Sequence, residues 1–137
     1  MRFFFYGTLL DEDLRVAVLG RLAPLAVDKA TLHGWRRVTA PGASYPVIFP
    51  RQGGRVVGVV ARGLDRRAAA LLDAYEGDDA YARRPIEVTL PGGRRVEAQI
   101  YAPADGRFKR GRRPWSLAAW RRLHKRAFID RLSAARD

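Results

Sequence analysis

Three consecutive phenylalanines, Phe3-Phe4-Phe5, running straight into Tyr6-Gly7-Thr8-Leu9, set the strongest constraint on how this chain folds. Side chains alternate between the two faces of a strand, so a stretch apolar at every position reads as a strand buried on both faces. Asp11 then signals a helix start, with Glu12 and Asp13 in its first turn and Gly20 closing it. A glycine where a strand gives way to a helix lets several backbone N–H groups point into one spot. Such a concavity binds anions, carboxylates among them.

A second feature stands some seventy positions later. Asp65 caps a helix whose apolar positions, Ala68, Leu71, Leu72 and Tyr75, follow the 3.6-residue period. That helix ends at Glu76, immediately before Gly77, which sets its carboxyl at a turn. A lone glutamate at a helix end is ordinarily a solvated charge, and Tyr-Gly-Thr-Leu alone is an ordinary strand exit. Together, an anion cradle and one acid describe a small-molecule enzyme that needs neither metal nor thiol.

The rest of the chain alternates strands and turns. Thr31 to Thr39 reads as a strand or strand pair, and Tyr45 to Phe49 as a short strand whose Pro46 marks its start or an edge. Gln52-Gly53-Gly54 reads as a hairpin turn into Arg55–Arg62, with Val56-Val57-Gly58-Val59-Val60 a buried run. Pro85–Leu90 and Arg94–Ala102 form a hairpin around Pro91-Gly92-Gly93, with Val96, Ala98 and Ile100 on one side and Glu97, Gln99 and Tyr101 on the other. Residues 103 to 114 read as a surface loop. Ser116 caps a last helix with the stripe Leu117, Trp120, His124, Phe128 and Leu132. Hairpins with three helices and no internal repeat give an α+β fold in one domain spanning 1–137, the basic loop and last helix (103–137) packed on it.

Composition removes several function classes. Without cysteine there is no disulfide, thiolate nucleophile or zinc–thiolate site. His33 and His124 lie far apart with no acid–histidine pattern, and Ser44, Ser116 and Ser133 lack the glycines of a nucleophile elbow. No apolar stretch approaches the roughly 18 residues of a membrane helix, and no signal peptide is read at the N-terminus, so a cytoplasmic setting is expected. The net charge of +12 is local: residues 107–137 carry 11 Lys/Arg against Asp130 and Asp137, centred on Arg107-Phe108-Lys109-Arg110-Gly111-Arg112-Arg113. Only three of the 26 basic residues are lysines, so the charge is not by itself a function.

The opening Phe3–Leu9 text resembles the gamma-glutamylcyclotransferase-like, or AIG2-like, family, whose first strand runs into a Tyr-Gly-Ser/Thr-Leu loop. Leu72-Asp73-Ala74-Tyr75-Glu76-Gly77, followed by Tyr81-Ala82-Arg83-Arg84 and Ile86-Glu87-Val88, looks like that family's second signature. The hairpin Leu90-Pro91-Gly92-Gly93 and the ending Trp115…Trp120…His124-Lys125-Arg126-Ala127-Phe128 are similar to it as well. The resemblance implies a small mixed β-barrel with helices packed outside. It also implies release of 5-oxoproline from a gamma-glutamyl substrate, without a cofactor.

In that chemistry the substrate's α-amine attacks its own γ-amide carbonyl, and one carboxylate serves as base and then acid. The resemblance assigns that role to Glu76. The loop residues Tyr6, Gly7, Thr8 and Leu9, with Tyr81, are the expected substrate contacts, the Thr8 hydroxyl adding one bond and Tyr45 and Tyr101 lining the cavity. Glu76 needs an apolar wall to raise its pKa, and Arg83 and Arg84 are therefore expected to point away from it. Two alternatives stand beside this reading: a non-catalytic anion-binding module of the same fold, and nucleic-acid binding through the basic C-terminal region. RNA-binding signatures are absent, so specific nucleic-acid binding is not expected. The leaving amine and the oligomeric state are not legible.

Overall fold

The computed structural model describes residues 1–24, 26–76, 81–103 and 113–136, apart from the side chains of 81, 82, 103, 135 and 136. Five strands close a barrel: β1 (Phe3–Phe5), β2 (Val27–Thr39), β3 (Pro46–Ala61), β4 (Tyr81–Thr89) and β5 (Arg95–Pro103). The order around it is β1-β3-β2-β4-β5. Among the described residues only the β1–β5 pairing is parallel, so the barrel is mixed. Helices α1 (Glu12–Leu19), α2 (Arg66–Glu76), α3 (Leu117–Leu123) and α4 (Lys125–Arg136) accompany it, with 3-10 turns at Thr8–Leu10 and Gly20–Leu22.

The three phenylalanines divide as the alternation of a strand requires. Phe4 points into the barrel with Leu32, Trp35, Ile48, Val56 and Ile100, a packed interior rather than a pore. Phe3 and Phe5 point outward into a second apolar layer that includes Leu14 and Val18 of α1, Leu72 of α2, Tyr101 and Trp120. Burying each of these large side chains contributes about 1.5–3 kcal/mol. Gly58 is tied to β1 by sterics, since a Cβ there would lie 2.2 Å from the Phe5 carbonyl oxygen and within 3 Å of the Phe4 ring.

Several sequence expectations change in the fold. Gln52-Gly53-Gly54 is not a hairpin turn; Pro46–Ala61 is one strand, antiparallel to β2 on both sides of this point. The register slips there: His33 pairs with Arg55 but Trp35 with Pro50, so Arg51–Gly54 bulges out opposite Gly34. The hairpin turn lies instead between Thr39 and Pro46. The Val56–Val60 run alternates, with Val57 exposed. The last helix breaks at His124, whose φ of −131° leaves the helical range, and His124 is exposed while Ile129 joins the core. Leu71 is also exposed, Ala69 taking its inward place on α2.

The helix caps follow the sequence. The carboxylates of Asp11 and Asp65 accept from Leu14 N and Ala68 N, and the Ser116 hydroxyl from Ala119 N. Asp11 does more. Its side chain is 1% exposed, and its second oxygen meets Arg121 Nε at 2.8 Å and Lys125 Nζ at 3.0 Å. Burial pushes this carboxyl up, but the bonds from Arg121, Leu14 and Lys125 outweigh it and leave the pKa below the usual value. The start of α1 is thereby clamped to α3 and α4. No helix of the described residues is long and apolar enough to cross a membrane.

Candidate active site

The chain leaving β1 turns sharply at Gly7 into the Thr8–Leu10 helical turn, and the molecule braces that turn from behind. Arg37 Nη1 donates to the Tyr6 carbonyl at 2.8 Å, and Arg15 Nη1 donates to the carbonyls of Leu9 (2.9 Å) and Leu10 (3.0 Å). Arg37 in turn lies against the Trp115 ring. The first N–H groups of a helical turn have no intrahelical partner, and no side chain caps this one. Gly7 is required by Pro46 at the head of β3: an added Cβ would sit 3.0 Å from the proline Cγ and 3.3 Å from Cδ, atoms of a rigid ring.

Opposite this loop stands the C-terminal end of α2. Two bonds tie the helix down: Tyr75 Oη lies 2.7 Å from Thr8 Oγ1, and Tyr101 Oη donates to Asp73 Oδ1 at 2.5 Å. Glu76 and the loop then face one cavity of about 650 Å³. Its walls include Tyr6, Gly7, Thr8, Leu9, Tyr75 and Glu76. The two sequence segments, some seventy positions apart, thus meet at one place.

Glu76 forms no hydrogen bond or ion pair among the described residues. Burial without a compensating partner penalises its charged form and raises its pKa from 4.5 to about 7. The arginines of β4 are directed elsewhere. Arg83 approaches Asp73 at 3.9 Å and the Phe3 ring, and Arg84 lies over Trp35. The tyrosines are pushed the same way: burial raises both Tyr75 and Tyr101 well above the ordinary phenol value, so both stay neutral proton donors.

Not every expected contact falls where the sequence reading set it. The Tyr6 ring lines the cavity, but its hydroxyl donates to the Tyr101 carbonyl. The Thr8 hydroxyl bonds Tyr75, and where Tyr75 is the donor the Thr8 O–H stays free to donate into the cavity. Tyr45 lines the rim and is 37% exposed. The Tyr81 side chain, the Gly77 turn and the basic stretch 107–112 lie outside the described residues. Four participants were not anticipated: Arg15, Arg37, Tyr75 as a hydrogen-bond partner of the loop, and Arg131, which joins Phe128 and Leu132 of α4 in the cavity wall. Arg15 had a sequence signal, being an arginine on the apolar side of α1.

The molecule is a closed mixed barrel with a pocket beside β1, faced by the half-buried Glu76 and by the Gly7–Leu9 loop. The chain belongs to the family described as gamma-glutamyl cyclotransferase, AIG2-like, whose model matches residues 3–122. It is 30% identical to AIG2-like protein A of Arabidopsis thaliana, over 93% of this chain and 76% of that one. With AIG2-like protein B of the same plant it shares 29% identity, over 93% and 73%. A solution structure of an Arabidopsis thaliana protein superposes with a TM-score of 0.71 at 25% identity, over 98% of this chain and 80% of that one. A structure titled gamma-glutamyl cyclotransferase matches in fold, with a TM-score of 0.65 at 19% identity over 79% and 68%.

Proposed function

We propose that this chain is a gamma-glutamyl cyclotransferase that releases 5-oxoproline and an amine or amino acid. The observation that carries the reading is the meeting of Glu76, with its pKa near 7, and the Gly7–Leu9 loop across one cavity. The loop N–H groups of Gly7, Thr8 and Leu9 hold the substrate's α-carboxylate, with the Thr8 hydroxyl as a further donor. Tyr75, bonded to that hydroxyl, orients it. Tyr6 and Tyr81 complete the substrate contacts.

In the reaction, ionised Glu76 takes a proton from the substrate's α-ammonium. The freed amine nitrogen attacks the γ-carbonyl carbon, forming the C–N bond of a five-membered lactam. The tetrahedral intermediate collapses as the original amide C–N bond breaks, and protonated Glu76 returns its proton to the departing nitrogen. The ring nitrogen passes its second proton to the released amine, which leaves as an ammonium. The nucleophile belongs to the substrate, so the protein's work is folding the glutamyl chain and moving one proton. A pKa near 7 suits both halves, since the same group must accept and then give the proton near neutral pH.

The test is incubation with a panel of gamma-glutamyl dipeptides and gamma-glutamyl amines, scoring 5-oxoproline by mass, beside a Glu76→Gln control. Product from the native protein and none from the variant is expected. Equal product from both removes Glu76 from the chemistry.

A further inference from the structure

The cavity is larger than the reaction's fixed part needs. A volume of about 650 Å³ lies in the range that accommodates ligands of drug size, well beyond a five-carbon glutamyl group. The surplus is bounded by α4, through Phe128, Arg131 and Leu132. Two of these are apolar and the third carries a charge.

Arg131 is exposed, and two contacts within α4 orient its side chain. Arg131 Nε donates to the Ala127 carbonyl at 3.3 Å, and its guanidinium lies 4.6 Å from the centre of the Phe128 ring, which itself faces the cavity. Arg131 makes no ion pair with any carboxylate among the described residues. The other cations near the site are committed: Arg15 and Arg37 to carbonyls, Arg121 and Lys125 to Asp11. A positioned guanidinium beside an apolar wall is complementary to a carboxylate joined to an apolar group.

We propose that Arg131 is a specificity-determining residue that pairs with a carboxylate on the leaving group, whose apolar portion rests on Phe128 and Leu132. The preferred leaving group is then an apolar α-amino acid rather than a neutral amine. This rests on the cyclotransferase reading above. It goes beyond that reading in assigning the preference to one side chain on α4.

The experiment compares gamma-glutamyl-leucine with gamma-glutamyl-isopentylamine, which differs only in lacking the carboxylate, on the native protein and on Arg131→Met and Arg131→Lys. Arg131→Met keeps an unbranched helix-forming side chain, and Arg131→Lys keeps the charge. The native protein is expected to favour the acid in kcat/KM by about 10- to 100-fold, chiefly through KM. Arg131→Met should erase that preference while leaving the amine substrate within about twofold, and Arg131→Lys should restore part of it. No native preference overturns the proposal. So does an equal loss on both substrates in Arg131→Met, which would assign the guanidinium to the glutamyl carboxylate they share. If neither compound is turned over, the cyclotransferase reading fails separately, and calorimetric binding of the same pair decides Arg131. Tighter binding of the acid, lost in Arg131→Met, supports the assignment; equal or absent binding ends it.

Discussion

The two halves of the candidate site are built in opposite ways. The Tyr6–Leu10 loop is over-determined: two arginines hold its carbonyls, Tyr75 holds the Thr8 hydroxyl, and Pro46 fills the space beside Gly7. The Glu76 carboxyl has no hydrogen-bond or ion-pair partner among the described residues, and burial alone shifts it. The contrast suits the two tasks proposed for them. A group that grips a fixed charge gains from rigidity, because ordering completed during folding is not required again on binding. A group that must take and return a proton gains from having no partner, since each bond to its ionised form would pull the pKa down.

The largest break in this comparison comes from the unpartnered side. Glu76→Gln keeps the shape and loses the proton carrier, and turnover should fall by about 10²- to 10⁴-fold with KM little changed. Single-turnover kinetics on a responsive gamma-glutamyl compound measure it. A variant within threefold of native turnover would end the acid–base assignment.

On the braced side the expected signature is reversed. Gly7→Val forces branched carbon against the Pro46 ring and shifts the loop, so KM should rise by about 10- to 100-fold with a smaller change in kcat. A variant with native KM and low kcat would show that the loop serves the chemistry rather than the grip.

The pH dependence sharpens the contrast further. With ionised Glu76 as the proposed base, kcat/KM should climb about tenfold per pH unit below 7 and level off above it. A rising limb centred near 4.5, the ordinary glutamate value, would mean that water or a cation reaches the carboxyl.

The smallest effect is on stability. The folded-state pKa is raised, so between pH 4.5 and 7 the folded chain keeps a proton that the unfolded chain has released. Stability therefore falls as pH rises through that window and stays reduced above it. Glu76→Gln escapes this penalty and should be more stable than native by about 1–3 kcal/mol at pH 8, with little difference at pH 4. Denaturant melts at the two pH values check it; equal stability at pH 8 would show that Glu76 carries no burial penalty.

How much was legible is best judged element by element. The caps at Asp11, Asp65 and Ser116 were readable because a cap is a contact between neighbours in the chain. So was the β4–β5 hairpin, whose turn glycines Gly92 and Gly93 take positive φ. Gly53 takes positive φ as well, yet there the strand bulges and continues, because the segments on both sides pair with β2. No local signal separates a bulge from a turn; the partner strand decides. The break at His124 is similar: the apolar stripe ran through it, while the His124 N–H closes α3 on the Trp120 carbonyl and Lys125, one residue on, is clamped to Asp11 and Asp13 at the start of α1.

Residue order alone was enough for the first strand's two-sided burial, the helix starts, and the two short texts from which the family could be read. Those depend on spacing and on bonds spanning three or four positions. What needed the folded molecule was the state and setting of each group: the pKa of Glu76, the bracing arginines, and the guanidinium across the cavity. These arise from solvent exclusion and from segments brought together across the chain, Arg37 reaching Tyr6 over 31 positions and Tyr75 reaching Thr8 over 67, which a linear reading does not contain.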